Sequence, residues 1–193
     1  MINKANNLFI ISGPSGVGED SIIEGLKKYF PIKRVITTTT RDMRPGEKEG
    51  DPYYFISPEE FQKGVNEGLF FEWAQEYNDN YYGVTHNEIK RVLNSGKVGI
   101  WKIEYKGVIT AKKLFPEIVA IFINAPINDL IKRIQKRGGI TEKYIQERIE
   151  YTKEWLKYRD IYDYEVENEE GKLNEAIAKI AKIIKSCSNI DNK

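Results

Sequence analysis

A glycine-rich segment near the N-terminus has the spacing of a loop that holds phosphate groups. An apolar run over 8–11 leads into Gly13, and Gly18 follows after four intervening residues. In such loops, backbone N–H groups cradle phosphates, and the next two residues are a lysine that contacts the phosphates and a hydroxyl residue that holds magnesium. Those positions here are Glu19 and Asp20. The segment therefore predicts a phosphate-binding backbone that carries two acids where a cation and a hydroxyl are expected.

The elements around this loop alternate between strands and helices, which is typical of an α/β fold with a largely parallel sheet. The run over 118–124 is nearly continuous apolar sequence, as expected for a strand covered on both faces. Strands are predicted at 8–12, 98–104, 118–124 and 164–167. Helices are predicted at 21–30, 87–94, 107–115, 127–136, 142–158 and 173–185.

The segment over 34–85 differs from its surroundings, because it is rich in tyrosine and phenylalanine and contains the turn-forming stretch RPGEKEGDP. A strand-like β-branched run lies at 35–38. Ser57, Pro58 and Glu60 form a helix start, with a capping serine, a proline at the first helical position and a glutamate three residues after the cap. We predict that this segment is a small lobe inserted into the α/β unit.

The composition limits the classes of protein to consider. The chain has 193 residues and a formal net charge of +1, from 30 basic and 29 acidic residues, which does not indicate a nucleic-acid-binding protein. Cys187 is the only cysteine, so a disulfide framework is excluded. No apolar run approaches the roughly 18 residues of a membrane span, and the N-terminus has no apolar signal core. These features predict a single-domain cytoplasmic protein without a membrane or nucleic-acid partner.

Several segments, taken together and in order, resemble the guanylate kinase family of nucleoside-monophosphate kinases. They read FIISGPSGVG, TTTTRDMRPGEKEG, YYFIS, FFEWAQEYNDNYYG, IKRIQKRG and IQERIE, and the resemblance covers roughly 8–184. It implies phosphoryl transfer from ATP, with Mg²⁺, to GMP, by a monomer or homodimer. It also implies a P-loop-type parallel sheet core flanked by helices, with an inserted monophosphate-binding lobe and a mobile lid.

Mapped onto this chain, the resemblance implies one domain over 1–193. The core occupies about 1–33, 86–135 and 150–190, the GMP-binding lobe about 34–85 and the lid about 136–149.

The resemblance also implies a GMP site. Guanine presents two adjacent donors that one carboxylate can accept together, and adenine cannot offer that pair. Glu72 matches this carboxylate, Thr37 lies near guanine O6, and Glu104 is an acid near the guanine amine. Two arginines and two tyrosines that match the family's phosphate-binding residues are Arg41, Arg44, Tyr53 and Tyr82. Val84 departs from the pattern, because many relatives have a hydroxyl residue there, and its loss predicts base recognition weaker by about 0.5–1.5 kcal/mol.

On the ATP side, the resemblance implies a phosphate loop and a set of arginines. The loop residues are Gly13, Ser15, Gly16, Val17, Gly18, Glu19, Asp20 and Ser21. The arginines that reach the donor and transferring phosphates in relatives correspond to Arg133, Arg137 and Arg148. Phosphoryl transfer is stabilised mainly by positioned positive charge, so such a set is suited to the reaction. The alternative for these arginines is a solvated charged helix face.

A second departure could compensate for the acids in the loop. At the end of the strand over 98–104, relatives read Asp-Ile-Asp, whereas this chain reads Lys102-Ile103-Glu104. That strand end faces the loop in this architecture. We therefore hypothesise that Lys102 supplies the missing ammonium and that Asp20, with or without Glu19, holds Mg²⁺. The alternative is a structural ion pair between Glu19 and Lys102 in an inactive relative that binds guanine nucleotides or partner proteins.

Overall fold

The computed structural model describes residues 7–75, 79–136 and 141–188. The strands are β1 Leu8–Ser12, β2 Ile32–Arg34, β3 Thr37–Thr39, β4 Lys48–Glu49, β5 Pro52–Phe55, β6 Phe70–Gln75, β7 Tyr81–Thr85, β8 Val98–Lys102, β9 Val119–Asn124 and β10 Tyr164–Glu167. The helices are α1 Glu19–Leu26, α2 Pro58–Asn66, α3 His86–Leu93, α4 Tyr105–Leu114, α5 Ile127–Gln135, α6 Glu142–Leu156 and α7 Leu173–Cys187.

The central sheet has five parallel strands in the order β10-β9-β1-β8-β2. Strands β1 and β9 are buried on both faces, which explains why they are almost wholly apolar. Helices α1 and α7 cover one face, and α3 and α4 cover the other. The predicted α/β class with a parallel core is therefore confirmed.

The register of this sheet brings polar residues to one edge. Ile11 lies beside Lys102 on β8, and Ser12 lies beside Phe122 on β9. Because the strands are parallel, their carboxyl ends meet at the same edge, so the loop after β1 faces the residues that follow β8.

A second, mixed sheet has the order β4-β5-β3-β7-β6, and all its strands lie within the range predicted for the lobe. Helix α2 begins as predicted: the Ser57 hydroxyl accepts from the Glu60 N–H at 3.1 Å, and the Ser57 N–H donates to the Glu60 carboxylate at 2.8 Å. Phe61 of α2 stacks on Phe70 of β6, with ring centroids 4.2 Å apart, and this attaches the helix to the sheet.

The sequence prediction differs from the structure where the two sheets join. The β-branched run at 35–38 reads as one strand, but β2 ends at Arg34 in the core sheet and β3 begins at Thr37 in the second sheet. Between them, the Val35 N–H donates to Ile100 O at 2.9 Å and the Ile36 N–H donates to the Glu88 carboxylate at 2.6 Å. These bonds satisfy the backbone at the crossing, so the chain changes sheets without leaving buried N–H groups unpaired.

Three other boundaries matter for the site. Helix α1 begins at Glu19, two residues before the predicted start, because acids stabilise the positive end of a helix dipole. Strand β8 ends at Lys102 and not at Glu104, since Glu104 is the N-cap of α4. Helix α6 runs across 149–150, where the boundary between lid and core is predicted.

Within the described ranges, no helix has the length and apolar character needed to span a bilayer.

Candidate active site

A cleft of about 700 Å³ lies at the carboxyl ends of the core strands, between the two sheets and α6. It brings together sequence-predicted residues from distant parts of the chain: Gly13, Ser15, Glu19, Thr37, Arg44, Tyr53, Glu72, Tyr82, Lys102, Glu104 and Arg148. Helix α6 closes one side with Tyr144, Tyr151 and other side chains. The cleft therefore joins the glycine-rich loop to the residues predicted to bind a monophosphate.

The glycine-rich loop connects β1 to α1 and is held from outside the cleft. Gly16 and Gly18 have φ values of 95° and 90°, which side-chain-bearing residues rarely adopt, and these let the backbone curl. The Asn168 amide donates to Val17 O at 2.6 Å. A Cβ on Gly13 would lie 2.3 Å from Ile123 O, so the loop packs directly on β9. These contacts fix the curvature of the loop. Ser21 is exposed in the first turn of α1.

Four charged residues meet at the start of α1. Lys102 Nζ lies 2.7 Å from Asp20 Oδ2 and 3.9 Å from Glu19 Oε2. Arg34 at the end of β2 contacts the other Asp20 oxygen at 2.9 Å. Glu19 is turned inward, with 14% of its side chain exposed, whereas Asp20 is 63% exposed. The opposite charges predicted to face each other are thus in contact.

The surroundings shift the pKa values of these groups. Burial raises the pKa of Glu19 from 4.5 to about 7, against the opposing charge of Lys102. Burial alone would raise the pKa of Asp20, but the charge and hydrogen bond of Lys102, together with Arg34, lower it. Burial alone would lower the pKa of Lys102, but the charges of Glu19 and Asp20 outweigh it and raise the pKa. Lys102 is thus held as a cation, whereas burial disfavours the ionised form of Glu19.

Replacing Glu19 with glutamine should stabilise the fold in a pH-dependent way. Because the folded pKa of about 7 exceeds the unfolded value of 4.5, folding retains a proton in this window and wild-type stability falls as pH rises through it. The variant lacks this loss, so its advantage in free energy of unfolding should grow from near zero at low pH to about 3 kcal/mol above pH ~7. Urea unfolding at several pH values measures it. Glu24→Gln, an exposed change on the same helix, is the matched control and should leave the free energy of unfolding close to that of the wild type.

A buried carboxylate defines the other end of the cleft. Glu72 on β6 is 6% exposed and lies opposite Val84 on β7. Gly107 of α4 packs beneath it, since a Cβ there would lie 3.0 Å from Glu72 Oε1. Glu104 accepts a hydrogen bond from the Tyr151 hydroxyl. Thr37 lines the same cleft from the start of β3. The pocket thus offers carboxylate and hydroxyl oxygens beside the apolar Val84.

The two arginines predicted to bind a phosphate are placed differently. Arg41 donates to both Glu47 oxygens, at 2.9 and 3.0 Å, and its guanidinium lies 5.3 Å from the Tyr53 ring centroid. The Arg44 N–H donates to the same carboxylate at 2.8 Å, while Arg44 lines the cleft. Tyr82 packs edge-on against Tyr53, with centroids 6.2 Å apart. Glu47 therefore binds the guanidinium of Arg41 and the backbone N–H of Arg44, and it leaves the Arg44 side chain in the cleft.

The remaining predicted arginines fall in three situations. Arg148 lines the cleft and lies over the Tyr144 ring, 4.8 Å from its centroid. Arg133 of α5 is turned to the back of the loop, where it donates to Asn168 O at 2.8 Å and contacts Gly16 O at 3.4 Å. Arg137 lies outside the described residues.

Sequence reasoning missed residues that support the predicted ones. Arg34 pairs with Asp20, Glu47 with Arg41, Tyr151 with Glu104, and Asn168 with the loop. Only Tyr151 carried a usable signal, because it follows Arg148 by three residues on a predicted helix and must share its face.

Comparisons with known proteins agree with this arrangement. The family model described as Guanylate kinase matches residues 5–187. A guanylate kinase of Desulfitobacterium hafniense (strain Y51) is 38% identical over 179 residues, which is 92% of this chain and 88% of that protein. A guanylate kinase of Thermotoga maritima is 38% identical over 181 residues, covering 93% and 86%.

Solved structures show the same likeness. The crystal structure of guanylate kinase from Anaplasma phagocytophilum covers 93% of this chain and 84% of its own, with a TM-score of 0.71 and 27% identity. A shikimate kinase from Bacteroides thetaiotaomicron, at 11% identity and a TM-score of 0.50 over 92% of this chain and 98% of its own, shares the fold alone. The likeness to the first structure extends over most of the chain.

Proposed function

The chain belongs to the guanylate kinase family, a family of nucleoside-monophosphate kinases, and we propose that it transfers a phosphoryl group from ATP to GMP, giving ADP and GDP. The observation that carries this proposal is that one cleft contains both the Lys102 ammonium beside the glycine-rich loop and the buried Glu72 carboxylate. A donor bound at the loop and an acceptor bound at Glu72 would therefore share one space.

For the acceptor, Glu72 would receive the two adjacent donors of guanine as a bidentate pair, which adenine cannot provide. Glu104 would take part near the guanine amine, and Thr37 near O6. The acceptor phosphate would lie against Arg44, Tyr53 and Tyr82, whose side chains line the cleft. Arg41 would join them by exchanging Glu47 for phosphate, which is a stronger bidentate partner by charge.

For the donor, Lys102 would take the place of the family's loop lysine from the opposite wall of the cleft. The transition state of phosphoryl transfer is stabilised by positioned charge and needs no covalent intermediate. The Arg148 guanidinium, on the helix that closes the cleft, would add to that charge. Arg133 supports the loop from behind in this structure, so its proposed contribution is to hold the loop's shape. A role for Arg137 stays a prediction. Closure over both nucleotides would exclude water, which otherwise would hydrolyse ATP.

Magnesium is expected to enter bound to ATP, where it would offset phosphate charge. Asp20 is predicted as its ligand, yet both Asp20 oxygens accept from cations, Lys102 and Arg34. Over the ranges that the structure covers, no group of three or more His, Cys, Asp or Glu side chains is arranged to hold a metal ion. These side chains do not fit a metal site as they lie, so ligation by Asp20 stays a prediction.

The ion pairs of Lys102 favour one alternative function. If Glu19 and Asp20 hold Lys102 permanently, the chain would bind GMP without transferring phosphate to it. Product analysis separates the two. Incubation of purified protein with ATP, magnesium and GMP should form ADP and GDP in equal amounts, and neither when GMP is left out. GMP binding in the same preparation without either product would support the alternative and contradict the proposal.

A further inference from the structure

The Glu19 side chain lies beside the glycine-rich loop and lines the same cleft as Gly13 and Ser15. Gly16 and Gly18 have positive φ values and curl the loop, and an interaction with the Gly13 backbone lowers the pKa of Glu19 against the effect of burial. The side chain is turned into the cleft with 14% of it exposed. An acid at the start of a helix could equally point to solvent and still interact with the helix dipole, as its neighbour Asp20 does. The inward position is therefore a specific feature of Glu19.

The second partner of this carboxylate is the ammonium of Lys102, 3.9 Å away on the opposite wall. Backbone N–H groups and an ammonium are the two kinds of donor that loops of this type use for phosphate. Once ionised, which its pKa of about 7 places above neutral pH, Glu19 supplies an internal anion to both. We propose that the Glu19 carboxylate occupies the phosphate position of its own loop, and that a donor nucleotide binds only by displacing it. This inference rests on the proposed function, because it takes the space beside Lys102 as the donor site.

Asp20 holds Lys102 in place in this arrangement, whereas Glu19 moves. It holds Lys102 at 2.7 Å and is itself held by Arg34 at 2.9 Å, on the outer side of the cluster. When Glu19 swings out, these two contacts keep the ammonium facing the loop. Displacement therefore exchanges one anion for another at Lys102 and leaves its position unchanged. Asp20 is a positioning residue, and Glu19 competes with the donor.

The test is titration of ADP, without metal and with a chelator present, into the wild type, Glu19→Gln and Glu19→Ala. Both variants should bind ADP roughly tenfold more tightly or better, because the competing like charge is gone. Glu24→Gln is the matched control on α1, where the carboxylate pairs only locally with Lys27 and is mostly exposed, and it should leave ADP affinity unchanged. ADP affinity that is equal or weaker in both Glu19 variants would overturn the inference.

GMP titration of the same proteins checks folding and separates the two proposals. If every protein binds GMP and the Glu19 variants gain no affinity for ADP, the displacement model fails while the acceptor site stands. If the Glu19 variants gain ADP affinity but no protein binds GMP, the displacement model holds and the proposed acceptor is wrong.

Discussion

Replacing Lys102 with alanine should lower the rate of GMP-dependent ADP formation by about a hundred- to a thousandfold, which is the range for loss of one positioned charge donor in an active site. The reason is that Lys102 is the ammonium in contact with the start of α1, where both residues that follow the loop are acids. Without it, Glu19 and Asp20 would leave net negative charge facing the donor phosphates. GMP affinity should change by less than about threefold, since the substitution leaves Glu72 and the proposed phosphate contacts Arg44, Tyr53 and Tyr82 in place.

Steady-state rates with saturating GMP, together with GMP titration of the same preparations, measure this effect. Lys90→Ala, an exposed change on α3, is the matched control and should behave as the wild type does. If the Lys102 variant transfers phosphate at the wild-type rate and still binds GMP, Lys102 is not the donor-site cation. A loss of GMP binding of similar size would instead show that the substitution disturbs the whole cleft.

Replacing Glu72 with glutamine should weaken GMP binding by about a hundredfold. The amide keeps the shape of the side chain but turns one acceptor into a donor, so it faces a guanine N–H with an N–H of its own. Hydrogen bonds to a charged group contribute about 1.5–3 kcal/mol each, and each 1.4 kcal/mol is a factor of ten in affinity. The burial of Glu72 makes water a poor substitute for the lost partner.

Equilibrium titration with GMP and with AMP tests this prediction, because the loss should be confined to GMP. Glu150→Gln is the control: this carboxylate lines the same cleft from α6 but is 56% exposed and pairs with Lys153. An unchanged preference for GMP over AMP in the Glu72 variant would rule out recognition of guanine by this carboxylate.

The core of the fold is largely predictable from the sequence because its elements have strong local signals. The buried strand β9 reads as an uninterrupted apolar run, and Ser57 and Glu60 have the spacing of the capping box that begins α2. The join between the sheets is not predictable in this way. The run at 35–38 has uniform strand propensity, and its division between β2 and β3 depends on pairing with β8 and β5, which lie far away along the chain.

The candidate site also contains features that the sequence predicts and features that it does not. The opposition of Glu19 and Lys102 follows from topology, because the carboxyl ends of neighbouring parallel strands share an edge. The involvement of Arg34 does not, since its contact with Asp20 depends on the direction of one long side chain. Likewise, nothing in the spacing of Arg41 and Glu47 distinguishes their ion pair from two solvated charges. The sequence also gives no signal for the role of Asn168, although this residue is buried and its amide bonds to the glycine-rich loop.

The central claim is that an ammonium at position 102 does the work of the missing loop lysine. It can be tested by placing Lys102→Cys in a Cys187→Ser background, which removes the chain's only other cysteine target, and then alkylating the protein with bromoethylamine to restore an ammonium of nearly the same reach. We predict that the cysteine protein binds GMP but forms ADP about a hundred- to a thousandfold more slowly than the Cys187→Ser parent, and that alkylation recovers most of the rate. A cysteine protein as active as its parent, or an alkylated protein that gains no activity while still binding GMP, would contradict the claim.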